Sequence, residues 1–161
     1  MIKRILSRKN ILILLLFFIT SCEHTSQNSK QQKTLNLSKG YYENGVLRYC
    51  NLKNKDSLIE GVSYSYYENG QKMTETHFEN GLKEGKMLYY SNLSLASEEN
   101  FKRDTLEGVA KYYLDGLIIE EGSYKKGQKD GIWNYYENGS LILSEFYYNG
   151  EIETILYDNR D

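Results

Sequence analysis

The chain of 161 residues contains no proline, two cysteines, two histidines and one tryptophan. Two cysteines cannot build a disulfide scaffold or a cysteine-rich zinc site. A formal charge of -2 leaves no basic footprint for nucleic acid. No HExxH, CxxC, Walker or glycine-rich dinucleotide pattern occurs, so neither a metal nor a nucleotide cofactor is implied. No Ser, Cys or Lys stands in a known catalytic motif, His24 lies in a polar stretch, and His77 has no repeated counterpart. The expectation is a protein that is not an enzyme. The length suits one domain, two at most.

Long apolar runs are also scarce. Ile11 to Ile19 is nine residues, too short to span a bilayer stably. Behind the basic start Lys3, Arg4, Arg8 and Lys9 it reads as an export signal. The run ends in Ile19-Thr20-Ser21-Cys22, which resembles the lipobox of bacterial lipoproteins and implies diacylation of Cys22 and cleavage before it. The plainer reading is an ordinary secretory signal with Cys22 merely near the cleavage site. Several acyl chains on one cysteine would make anchoring effectively permanent, since each buried methylene contributes about 0.8 kcal/mol. Removing residues 1–21 takes away those four basic residues and no acidic ones, so the formal charge passes from -2 to -6. Residues 22–40 are polar and aperiodic, as expected of a lipidated cysteine followed by a flexible linker. Glu23, where Asp would signal inner-membrane retention in enterobacteria, favours the outer membrane if the host has one. The address expected is the cell envelope.

From residue 41 onward the chain is self-similar. Tyr66-Tyr67, Tyr89-Tyr90, Tyr112-Tyr113 and Tyr135-Tyr136 recur at steps of 23, with Tyr41-Tyr42 lying 25 earlier. A fixed period of this size marks a repeat array. Each pair is followed by a turn signal: Glu43-Asn44-Gly45, Glu68-Asn69-Gly70, Asp115-Gly116, Glu137-Asn138-Gly139 and, degenerate, Asn92-Leu93. A second turn follows at Asn80-Gly81, Lys126-Gly127, Asn149-Gly150 and, again degenerate, Arg103-Asp104. Asn-Gly favours the two-residue type I′ hairpin, whose central residues both need positive φ. Gly85, Gly108 and Gly131 open the first strand of each repeat, with Gly61 one residue out of step. The fold expected over residues 41–161 is all-β: an elongated single-layer antiparallel meander of about ten strands in about five hairpin repeats.

If Asn138-Gly139 is a two-residue loop, Tyr136 faces Leu141, Tyr135 faces Ile142 and Trp133 faces Ser144. The same arithmetic sets Met87 opposite Glu98 and Ala110 opposite Glu121. Side chains alternate, so the two tyrosines of each pair point to opposite faces. Stacked rings of successive repeats then supply the burial that a second layer would.

The run Gly131-Ile132-Trp133-Asn134-Tyr135-Tyr136-Glu137-Asn138-Gly139, with Leu141 and Tyr147-Tyr148-Asn149-Gly150, is similar to the bacterial MORN repeat variant of the YwqK family of toxin–antitoxin antitoxins. The resemblance covers residues 41 to 157 and implies a β-repeat fold with an antitoxin-like role. The chain departs from the pattern in the first repeat, which has two extra residues and Leu52-Lys53 in place of an aromatic, and in the third, which lacks Asn-Gly.

Glu75, Glu98 and Glu121 stand at steps of 23, and the two-residue register puts them on the face of Tyr89, Tyr112, Trp133 and Tyr135. One reading is a surface for a basic protein partner. The other is that these carboxylates are solvated or take tyrosine hydroxyls, and that the rings are packing. Trp133, the sole tryptophan, is the ring most expected to meet a ligand. Cys50 is expected as a buried small hydrophobe. The function expected is a lipid-anchored protein–protein interaction module, antitoxin-like or an immunity protein against a toxin arriving from outside. The competing class is a glycan or cell-wall binding module, similar in outline to choline-binding repeats, against which a single Trp argues.

Overall fold

The structure, a computed structural model, describes residues 34–160. They form one antiparallel sheet of thirteen strands: β1 (Asn36–Tyr41), β2 (Leu47–Lys53), β3 (Gly61–Tyr66), β4 (Lys72–Glu79), β5 (Leu82–Ser91), β6 (Ser94–Lys102), β7 (Thr105–Leu106), β8 (Gly108–Leu114), β9 (Leu117–Lys125), β10 (Gln128–Lys129), β11 (Gly131–Glu137), β12 (Ser140–Tyr148) and β13 (Glu151–Asp158). Spatial order follows chain order, and the two-residue strands β7 and β10 pair only with β6 and β9. The ordered sheet begins at Asn36, inside the stretch expected as linker: β1 is too polar to announce itself, and residue-by-residue pairing with β2 holds it. Cleavage and acylation at Cys22 concern residues outside those described.

Turn chemistry explains most of the meander. Asn80-Gly81, Asp115-Gly116, Lys126-Gly127, Asn138-Gly139 and Asn149-Gly150 all have positive φ at both residues, as type I′ requires. The degenerate Asn92-Leu93 and Arg103-Asp104 adopt the same geometry without glycine, with φ of 48°, 69°, 50° and 65°. The first two Glu-Asn-Gly turns differ from expectation. Only Gly45 and Gly70 are left-handed there. The loop is longer, closed by Tyr42 N–H to the Val46 carbonyl and Tyr67 N–H to the Gln71 carbonyl, both at 2.8 Å. In each, the asparagine carboxamide accepts the N–H two residues on, an Asx turn.

Within the first hairpin of each repeat the register departs from simple two-residue arithmetic at one recurring place, and further shifts occur between β4 and β5 and between β12 and β13. Tyr136 faces Leu141 as expected, but Tyr135 faces Leu143 and Trp133 faces Glu145. The same step occurs at Tyr89/Tyr90 and Tyr112/Tyr113, so Met87 faces Glu99 and Ala110 faces Gly122. One extra residue on each return strand, Arg48, Met73, Ala96, Ile119 or Ile142, is accommodated as a β-bulge. A bulge sets two residues against one and shifts everything beyond it by one position.

Candidate functional site

The bulges decide which side chains share a face. Tracing partners across the sheet, one transverse row runs Tyr49, Ser65, Thr74, Tyr89, Ser97, Tyr112, Glu120, Tyr135, Leu143. The neighbouring row on the other face runs Tyr64, Glu75, Leu88, Glu98, Lys111, Glu121, Asn134, Ser144. The expected combination of Glu75, Glu98 and Glu121 with Tyr89, Tyr112, Trp133 and Tyr135 is therefore corrected: the structure divides it between two faces.

The face bearing Trp133 is packed. Trp133 is 0% exposed, Ala110 1% and Tyr147 9%, with Tyr112, Tyr124 and Tyr135 against them. The indole lies on the backbone of Gly122, where any β-carbon would fall inside the ring. Tyr124 and Tyr147 meet it edge-on at centroid distances of 5.0 and 6.4 Å, an arrangement worth about 1 kcal/mol per pair beyond area burial. Its Nε1–H donates to the Ser123 carbonyl at 3.0 Å. Trp133 is thus the centre of the packing and not a ring offered to a ligand, because the flat Gly122 lets it sink against the sheet. Above it Lys129 Nζ lies 4.0 Å from the indole centroid and about as close to the Tyr135 and Tyr147 rings, at 5.1 and 5.2 Å. The ammonium donates to Glu120 Oε1 at 2.6 Å and to Tyr135 Oη at 3.0 Å. The arrangement recurs two repeats earlier, where Lys83 covers Phe101 at 4.5 Å. Burial pushes the Tyr135 phenol up to about 12, and raises Tyr112 and Tyr147 as well.

The second face is open. Its carboxylates are compensated rather than bare. Lys72 pairs with Glu75 at 3.0 Å, Lys86 with Glu98 at 3.0 Å and Lys111 with Glu121 at 3.2 Å. Tyr113 Oη donates to Glu98 and Tyr136 Oη to Glu121, at 2.9 and 2.8 Å. The Lys86 hydrogen bond above all, then Tyr113, holds Glu98 below the usual carboxylate range. Tyr136, then Lys111, does the same for Glu121. Burial, then Glu98, pushes Tyr113 up to about 12. Beside this row Val62, Val109, Ile132 and Phe146 stand 36%, 52%, 52% and 39% exposed. His77, Glu75, Glu84, Lys86, Leu88 and Val62 line an open groove of about 430 Å³ on this face. Cys50, on the same face opposite Tyr64, is buried as expected, at 1% exposure.

A further set of residues escaped the sequence reading. Glu60, Glu84 and Glu107 each accept a backbone N–H from the next second turn: Asn80 at 3.0 Å, Arg103 at 3.0 Å and Lys126 at 2.8 Å. In each of these turns, and in the last, the second residue's N–H donates to the preceding repeat: Gly81 to Ile59, Asp104 to Lys83, Gly127 to Leu106 and Gly150 to Lys129. The signal was an acidic residue directly before each repeat-opening glycine, Glu60-Gly61, Glu84-Gly85, Glu107-Gly108 and Asp130-Gly131.

Among the described residues no group of three or more His, Cys, Asp and Glu is placed to hold a metal ion, and no helix is long and apolar enough to cross a membrane. Fold and site define a class: a single antiparallel β-repeat sheet, packed on one face and open on the other. No family model matches the chain, and no curated protein matches it.

Proposed function

We propose that this chain is a lipid-anchored β-repeat protein of the cell envelope that binds another protein along the open face of its sheet. The observation that carries the reading is the exposure of Val109, Ile132 and Phe146 in the last two repeats beside the Glu–Lys–Tyr row, with Val62 set apart from them by His77, Lys86 and Asn100. Apolar side chains exposed in neighbouring repeats and bordered by polar groups suit a protein interface. The lipobox-like Ile19-Thr20-Ser21-Cys22 supports the tether. The MORN-like repeat of the YwqK kind supports an antitoxin-like role. Export past the inner membrane restricts that role to immunity against a toxin arriving from outside. The glycan reading loses its main support, since Trp133 and the tyrosine rows with it are occupied by packing.

Mild crosslinking and copurification of the native lipoprotein from its membranes tests the reading. A stoichiometric protein is expected with the wild type and is lost in Val109→Lys/Ile132→Lys, whose side chains are exposed and whose thermal unfolding stays unchanged. Recovery of the lipoprotein alone, or a complex indifferent to the double substitution, would overturn it; retention on purified cell wall would then favour the glycan class.

A further inference from the structure

Five Asn-Gly pairs stand in the turns of this sheet: Asn44-Gly45, Asn69-Gly70, Asn80-Gly81, Asn138-Gly139 and Asn149-Gly150. The pairing is chemically labile, because a glycine nitrogen has no side chain beside it to hinder its approach to the asparagine carboxamide. The dipeptide makes the five alike, and the fold separates them. Gly45 and Gly70 N–H donate to the Tyr42 and Tyr67 carbonyls at 3.0 and 2.9 Å, while the Asn44 and Asn69 carboxamides are held in their Asx turns. Gly81 N–H donates to the Ile59 carbonyl at 2.8 Å and Gly150 N–H to that of Lys129 at 2.9 Å. Asn80 Oδ1 also accepts from Asn54 Nδ2, at 3.4 Å. Asn138 and Gly139 are both exposed. Among the described residues neither the Gly139 N–H nor the Asn138 carboxamide has a hydrogen-bond partner, and a β-carbon on Gly139 would meet nothing within 4 Å.

We propose that Asn138 is a modification site, the position at which the folded chain deamidates itself first. The Gly139 nitrogen gives its proton to hydroxide and attacks Asn138 Cγ. A bond forms between that nitrogen and Cγ, the Cγ–Nδ2 bond breaks, and Nδ2 leaves as ammonia with a proton taken from water. Water then opens the succinimide. Cleavage of the new bond at Cγ gives aspartate, and cleavage at the backbone carbonyl gives isoaspartate. Overall one water is consumed and one ammonia released, with no change of oxidation state.

The two products meet the turn differently. Asp115 occupies the equivalent position one repeat earlier, with φ of 51° against 50° at Asn138, so aspartate fits the turn as it stands. Isoaspartate carries the main chain through its β-carbon and lengthens it. A two-residue turn closed by the pairing of Glu137 with Ser140 has no room for the extra atom. The same turn joins β11 to β12, the strands that bring Trp133 and Tyr147 together. This site is independent of the open-face interface proposed above.

The test keeps the full chain, in detergent, in mildly alkaline buffer and samples it over time for peptide mapping by mass spectrometry, with isoaspartate scored by electron-transfer fragmentation. In the folded chain Asn138 is expected to convert at least about fivefold faster than the other four asparagines, because each of their glycine nitrogens must first give up a hydrogen bond of ordinary net strength. In denaturant, where only the shared dipeptide remains, the five rates are expected to converge. A folded chain that converts first at another Asn-Gly pair, a folded chain that does not convert at all, or a lead for Asn138 that persists in denaturant would each overturn the inference.

Discussion

Leu93 occupies the second position of a type I′ turn with φ of 69°, where its counterparts at Gly116 and Gly139 have no β-carbon. The left-handed region costs a residue with a side chain about 1 kcal/mol or more. Leu93 is 76% exposed, so no packing offsets that cost. Leu93→Gly should therefore stabilise the protein by about 1 kcal/mol, raising the thermal midpoint. An unchanged or lower midpoint would contradict the left-handed assignment. The residue scale also shows why Arg103-Asp104 survives without glycine: the turn is held from the preceding repeat, by Arg103 N–H to Glu84 and Asp104 N–H to the Lys83 carbonyl, while Asp104 Oδ1 takes the Lys83 N–H at 2.7 Å. The first two bonds recur in the turns at Gly81 and Gly127, so the Asp104 carboxylate's bond to Lys83 N–H is what this turn has in place of a glycine.

At the scale of the element, the strands β9 and β11 approach through Gly122 and Trp133. Gly122 does not carry a positive φ, so its role is space rather than backbone freedom. Gly122→Ala should cost about 2 kcal/mol, because the indole must rise from the sheet and give up its bond to Ser123. With a single tryptophan in the chain, the displacement has a direct readout: the fluorescence should shift to the red as the ring meets water. Emission unchanged together with unchanged stability would refute the contact. Elements also show what a sequence hides. The repeat period, the hairpin turns and the antiparallel order were legible in Tyr-Tyr and Asn-Gly spacing. The bulges were not, because the extra residues Arg48, Met73, Ala96, Ile119 and Ile142 share no chemistry that would mark them. One such residue is enough to move Glu98 from Met87 to Leu88, and so to the opposite face.

The whole molecule couples its repeats through ionisable groups, which gives it a two-sided pH response. Glu98 and Glu121 titrate below their ordinary range when folded. Their contribution is present above the unfolded carboxylate pKa of about 4.3 and fades as pH falls through the folded values. The tyrosines have the opposite sign. Tyr113 and Tyr135 are pushed up to about 12, so their contribution is full below the unfolded value of about 10 and is lost as pH rises toward the folded ones. Stability should therefore be flat between those limits and fall on both sides, with tyrosinate absorbance lagging until the sheet opens. Denaturant titrations across pH measure this directly. Constant stability well above pH 10 would contradict the buried phenols, and constant stability well below pH 4 the depressed carboxylates.

Sequence alone determined that this is an all-β array with a 23-residue unit, since turn chemistry is local and type I′ turns demand residues that tolerate positive φ. It also carried the lipobox-like ending at Cys22, a matter of four consecutive residues. Only the tertiary structure decided the faces. Burial of Trp133 depends on Gly122, Lys129 and Tyr147 arriving from neighbouring strands, and the side on which each carboxylate stands depends on bulges fixed by cross-strand pairing. Facing is a property of register, and register beyond the turn is set by the partner strand, which a pattern along one strand does not contain.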